Sequence, residues 1–148
     1  MESQILFLCT GNYYRSRFAE LLFNHAAVAL GLQWRAASRG IAITEKNIGP
    51  ISPYAIQRLR EHWIPIPGNV SYPVQAQEYD LEQADRIIAL YELEHRPLLQ
   101  QRFPDWEERV GFWHVPDVHL VTATTALATI EGNVQRLIEE LSAIDLEA

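Results

Sequence analysis

Residues 4–8 read Gln-Ile-Leu-Phe-Leu, four large apolar side chains in five positions, the unbroken run carried by a strand covered on both faces. The spacing then changes. Phe18, Leu21, Leu22, His25, Ala26 and Ala29 recur at helical intervals and predict a helix over 17–30 that stops at Gly31, a natural C-terminal cap. Residues 33–38 form a second strand leading into Arg39-Gly40, and 41–51 are loop-like. Ser52-Pro53 then opens a helix reaching about Trp63, with the proline in the first turn. Pro65, Pro67 and Pro73 forbid regular helix, so 64–77 become a surface connection able to wall a site. An acidic turn or half-helix over 80–85 precedes a third strand at 86–90. A helix over 92–101 tolerates Pro97 only in its first turn, a fourth strand covers 109–113, and 123–141 make a closing helix. Its buried stripe is Leu127, Ile130, Val134, Leu137, Ile138 and Leu141.

Strands that alternate with helices require crossover connections. The expected fold is therefore a single-domain, three-layer α/β fold over residues 1–148, with a four-stranded parallel sheet and helices on both faces. Ligands of such sheets bind at the carboxyl ends of the strands.

Composition narrows the function. A chain of 148 residues with 48% hydrophobic residues can bury one sizeable core. A net charge of −7 argues against a general nucleic-acid binder. No stretch has the signature of a signal peptide and no apolar run approaches a membrane span, so a cytoplasmic, non-membrane protein is expected. One cysteine permits neither an intrachain disulfide nor a cysteine metal cluster.

That cysteine ends the first strand. From Cys9 the chain reads Cys-Thr-Gly-Asn-Tyr-Tyr-Arg-Ser, with five residues between Cys9 and Arg15. A loop of this length between a strand and a helix N-terminus can turn successive backbone N–H groups toward one centre, where the helix dipole adds positive potential. An anion fits there. The cysteine beneath it is favoured as thiolate, and the planar fork of Arg15 can take two phosphoryl oxygens at once. Gly11 suits close backbone approach and positive φ, Asn12 tolerates the left-handed region, and Ser16 can cap the helix or donate to the sulfur. Thr10, Gly11, Asn12, Tyr13, Tyr14 and Arg15 are thus the candidate phosphate-binding set. Taken singly, Cys9 could also be a small buried hydrophobe.

The run from Ile5 to Glu20 resembles the signature of the low-molecular-weight protein tyrosine phosphatases, an apolar strand followed by Cys-x-Gly-Asn-x-Cys-Arg-Ser-x-x-Ala-Glu. Cys9, Gly11, Asn12, Arg15, Ser16, Ala19 and Glu20 match. Arsenate reductases and protein-arginine phosphatases share this fold and loop. The resemblance implies a cysteine-dependent phosphomonoesterase, expected to act on phosphotyrosine through a phosphocysteine, with a phosphorylated protein or small aryl phosphate as partner and no cofactor or metal. Cys9 would attack, Arg15 would bind equatorial oxygens, and Ser16 would steady the thiolate.

An acid is also needed for the leaving group. The family carries it in an Asp-Pro pair after the last strand; Asp117 falls there with Val118 in place of the proline, and Asp105 is the lesser candidate. His114 and His119 flank Asp117 and read as loop residues rather than metal ligands. Four further positions depart from the family. Tyr14 replaces the second cysteine, whose absence leaves Cys9 without a disulfide partner; Leu90 and Tyr91 replace a methionine and an acidic or amide residue; and Ser71 lies where a histidine often supports the loop asparagine. Tyr13 is placed either to stack on an aryl phosphate or to pack. The competing functions are a non-catalytic phosphoprotein-binding module and an arsenate reductase.

Overall fold

The computed structural model describes residues 2–44, 47 and 49–147. Its sheet has the order β2-β1-β3-β4 and every pairing is parallel. The central strand β1 (Ser3–Cys9) lies between β2 (Trp34–Gly40) and β3 (Arg86–Ala89), with β4 (Gly111–Phe112) at the edge.

Alternation along β1 explains its continuous apolar run. Ile5, Phe7 and Cys9 face a core built with α1 (Arg15–Leu30), α2 (Pro53–Glu61) and α5 (Ala123–Glu147), whereas Leu6 and Leu8 face a second core. That second core takes Leu81 from α3 (Glu78–Gln83), Leu99 from α4 (Glu92–Arg102) and Trp106 from a 3₁₀ helix (Pro104–Arg109). Both faces are therefore covered, as a parallel sheet requires. Among the described residues no helix is long and apolar enough to cross a membrane.

Each expected element is present, with several shifts. Helix α1 begins at Arg15, two residues early, and ends at Gly31 with φ 70°, whose N–H reaches Val28 O at 3.2 Å. Its buried face is rotated from the expected stripe: Phe18 and Leu21 are buried as read, but so are Ala19, Phe23 and Ala27, while His25 and Ala29 are exposed. The helix packs on β2 and on α5 together, which widens the covered arc beyond one stripe. Helix α2 stops at Glu61 because Trp63 turns left-handed at φ 58°, and the chain folds back through an Ile64 N–H to Leu59 O bond of 2.9 Å.

The acidic stretch is a true helix from Glu78, opened by Asp80, which accepts the Gln77 N–H at 2.8 Å. Pro97 is the sixth residue of α4, inside the helix rather than in its first turn. It leaves the carbonyl of Leu93, on the solvent side at 76% exposure, without a helical donor. The fourth strand is only Gly111–Phe112, since Arg109 belongs to the 3₁₀ helix and stacks 4.1 Å over the Trp106 ring. The stripe of α5 is buried throughout, and that helix runs on to Glu147. Of the 41–51 loop, residues 45, 46 and 48 lie outside the described residues.

The rotation of α1 is measurable. Phe23→Ala, at a fully buried site, should cost about 3–5 kcal/mol in urea unfolding, whereas His25→Ala should stay within about 0.5 kcal/mol. Equal losses would contradict the face assigned.

Candidate active site

Cys9 ends the central strand opposite Gly40, and a Cβ at Gly40 would lie 2.9 Å from Thr10 O and 2.5 Å from the Ile43 side chain. The strand end is thus tightly confined. The loop then leaves the sheet with its carbonyls already taken: Cys9 O by Ile41 N–H at 2.9 Å, Thr10 O by Ala42 N–H at 3.2 Å and Tyr13 O by Ser52 N–H at 2.9 Å. At its far end the first turn of α1 contributes N–H groups that have no intrahelical acceptor, because the first such bond is Phe18 N–H to Tyr14 O. Loop and helix N-terminus together make an anion cradle.

The left-handed residue is Asn12, at φ 52°, and not Gly11. Gly11 has room for a Cβ, whose nearest neighbour would be Asn47 Nδ2 at 3.9 Å, so its bareness serves close approach from the cavity it lines. The Asn12 side chain is fully buried and saturated. Its Nδ2 donates to Ser16 Oγ at 3.1 Å and Ser38 Oγ at 2.9 Å; its Oδ1 accepts from Val74 N–H at 2.9 Å and Arg17 Nη2 at 3.4 Å. Ser16 Oγ also stands 2.9 Å from Cys9 Sγ, so it serves the sulfur, and the N-cap Tyr14 makes no side-chain cap.

Arg15 is 3% exposed and clamped from two sides. Nη1 donates to Val115 O at 3.0 Å, and Nη2 donates to Glu94 Oε2 at 2.8 Å. The same Glu94 oxygen accepts Thr10 Oγ1 at 2.5 Å. Burial of Glu94 works against its charge, but the His95 ring beside it and hydrogen bonds from Arg15 and Thr10 outweigh that and hold the carboxyl well below the usual carboxylate range. Burial likewise opposes the Arg15 charge, and the Glu94 bond more than offsets it, so the guanidinium stays charged. Behind them lies His95, with no exposure: Nδ1 accepts the Tyr91 N–H at 3.0 Å, which puts the proton on Nε2, a poorly aligned 3.3 Å from Glu94 Oε2.

A cavity of about 350 Å³ opens over the loop, lined by Cys9, Arg15, Tyr13, Tyr14, Glu94 and Asp117 among others. Larger grooves elsewhere lack the thiol, among them one of about 530 Å³ between α1 and the proline-rich connection. Asp117 Oδ2 is 3.7 Å from Arg15 Nη2, and its Oδ1 accepts the Val118 N–H at 2.8 Å. His119 stands 3.8 Å from the carboxylate and is largely exposed, whereas Asp105 sits on the exposed 3₁₀ helix and lines no part of the cavity. Tyr14 is buried, edge-on to Tyr54 with ring centres 6.2 Å apart, and burial followed by the Asp117 charge pushes its phenol up to about 12.

The structure thus brings Cys9, Arg15, Ser16, Asp117 and the loop residues to one place. Sequence reasoning missed Glu94, which supplies from inside α4 the carboxylate absent at Tyr91; an acidic residue in a first helical turn is too common to stand out. It also missed Arg17, Ser38, Tyr54 and His95. Of these only Arg17 lay in the stretch that resembled the family, at one of its variable positions.

A thiol and a clamped guanidinium in a strand-loop-helix cradle, at the carboxyl edge of a parallel sheet, define a cysteine-dependent phosphatase. The family profile described as low molecular weight phosphotyrosine protein phosphatase matches residues 4–144. The chain belongs to this family, and is a hydrolase. A protein-arginine-phosphatase of Bacillus subtilis (strain 168) is 32% identical over 106 residues, 72% of this chain and 67% of that protein. Among solved structures, a low molecular weight protein tyrosine phosphatase from T. tengcongensis matches with TM-score 0.79 at 28% identity, covering 94% of this chain and 99% of that one. YfkJ from Bacillus subtilis matches with TM-score 0.83 at 25% identity, covering 97% and 96%.

His95 makes stability depend on pH. Burial lowers its pKa, and protonating Nδ1 would set it donor-to-donor against the Tyr91 N–H. As pH falls from 7.5 through the ordinary histidine range near ~6.5, the unfolded chain takes up a proton that the folded one refuses, so stability falls by up to ~1.4 kcal/mol per pH unit. The thermal midpoint of His95→Gln should therefore fall less steeply between about pH 7 and 5 than that of the wild type; parallel curves would refute the assignment.

Proposed function

We propose that this protein hydrolyses phosphate monoesters in two steps through a phosphocysteine, with phosphotyrosine as substrate. One observation carries the reading: the Cys9 sulfur, 2.9 Å from Ser16 Oγ, shares a cavity with a guanidinium fixed by Glu94 and Val115 and with the loop carboxylate Asp117. The phosphoryl group sits in the cradle, its equatorial oxygens held by loop N–H groups and by the Arg15 donors that Glu94 and Val115 leave over. Cys9 Sγ attacks phosphorus in line, the phosphorus–oxygen bond to the leaving group breaks, and the Asp117 carboxyl gives its proton to the departing oxygen. In the second step Asp117, now carboxylate, takes a proton from water. The hydroxide attacks phosphorus, the sulfur–phosphorus bond breaks, and phosphate and thiolate are released. Ser16 donates to the thiolate in both steps.

Tyrosine phosphate as substrate is supported by the cavity wall, where Tyr13, Tyr14 and Tyr54 offer aromatic faces and edges to an aryl leaving group. A second reading is favoured by a different observation. Glu94 and Asp117 place two carboxylates around one arginine, a setting that would also receive the cationic guanidinium of phosphoarginine, the residue type named for the Bacillus subtilis relative.

Hydrolysis of p-nitrophenyl phosphate at mildly acidic pH is expected for the wild type and absent in Cys9→Ser. Wild-type protein no more active than that variant would sink the proposal. Asp117→Asn should lower kcat by roughly 10²–10⁴-fold with little change in KM. A panel of phosphotyrosine, phosphoarginine and phosphoserine peptides should rank phosphotyrosine first; phosphoarginine in first place would transfer the assignment to the second reading.

A further inference from the structure

Arg17 has no role in the chemistry above, yet it is 3% exposed, on the inner side of α1. Its Nη2 carries two N–H groups and faces three acceptors: Ser71 O at 2.8 Å, Tyr72 O at 3.3 Å and Asn12 Oδ1 at 3.4 Å. Nη1 reaches Glu20 Oε1 at 3.3 Å. That same Glu20 oxygen accepts Ser38 Oγ at 2.5 Å, and Ser38 Oγ accepts from Asn12 Nδ2. Arg17 and Glu20 therefore approach Asn12 from both ends of its amide, one directly on Oδ1 and the other through Ser38 on Nδ2.

We infer that Arg17 is a positioning residue for the phosphate-binding loop, holding Asn12 in its left-handed conformation and pinning residues 71–72 against the back of the loop. A side chain placed only for packing would not need a guanidinium. Moving an arginine out of water costs several kcal/mol unless acceptors meet it, and here two main-chain carbonyls, an amide and a carboxylate do. The arrangement also accounts for Ser71, the position where the resembled family often supplies a supporting histidine. Ser71 contributes its carbonyl, and the cation that uses it comes from α1 instead. Through Asn12 the clamp reaches Ser16 Oγ and so Cys9 Sγ. The Val74 N–H on Asn12 Oδ1 belongs to the same connection, so loosening residues 71–72 removes support from both sides of that oxygen.

The inference rests on the phosphatase reading, and kinetics separates the two. Arg17→Met keeps the stem and removes every donor. It should lower kcat/KM for p-nitrophenyl phosphate at least tenfold and weaken competitive inhibition by inorganic phosphate, the cradle's own ligand. A purely structural role would lower the thermal midpoint and leave both parameters of the folded fraction unchanged. The decisive measurement is the double-mutant cycle with Asn12→Ala: in that background Arg17→Met should cost less than twofold in kcat/KM, because its target is gone. Equal costs in both backgrounds would overturn the inference, as would an active Arg17→Met with wild-type constants. Should Arg17→Met not fold, Arg17→Lys carries the same cycle, since an ammonium keeps the Glu20 pair and cannot span the carbonyls and Asn12 together. Wild-type inactivity would instead mark failure of the phosphatase reading itself.

Discussion

One buried amide holds the site together. Asn12 must sit at positive φ for the loop to close around an anion, a conformation that costs a non-glycine residue of order 1 kcal/mol. Four hydrogen bonds repay that strain by using every donor and acceptor of the side chain. The loop needs this because its own N–H groups are to be left for the ligand. A loop that satisfied its donors internally would be stable and would bind nothing.

Charge is arranged by the same logic of external support. Arg15 faces the thiol, Glu94 and Asp117 in a confined space, so one cation serves three groups that are or can become anionic. Glu94 is held ionised by hydrogen bonds that overcome its burial, which fixes the guanidinium plane before substrate arrives. Because Glu94 and Val115 occupy one donor on each Nη, each nitrogen keeps a second N–H on a guanidinium already fixed in place. Asp117, a third exposed and 3.7 Å away, is held less closely to the same guanidinium.

Much of this was legible in the chain. The continuous run of β1 and its alternation into two cores follow from large apolar side chains at successive positions, and the strand-helix rhythm dictated the parallel sheet. Cys9, Arg15 and Ser16 were readable because they lie within one local motif whose order carries the geometry. Glu94, Ser38 and Arg17 were not, since their meaning exists only after strands distant in sequence pair. The misplaced stripe of α1 has a similar cause: Phe23 is buried against elements on two sides, and a one-sided amphipathic pattern cannot express that. Pro97 shows the limit of local rules, as a helix anchored by tertiary packing at Leu99 and His95 carries a residue that a free helix would reject.

The bonds that complete the cradle span the chain. Asn12 reaches 26 residues to Ser38 and 62 to Val74, while Arg15 reaches 79 to Glu94 and 100 to Val115. These partners meet at one loop only once β2, β3 and β4 have joined β1 in the sheet. Such long-range closures are late events in folding. The geometry around Cys9 is therefore completed only with the tertiary fold, so recovered turnover reports completion of the fold itself.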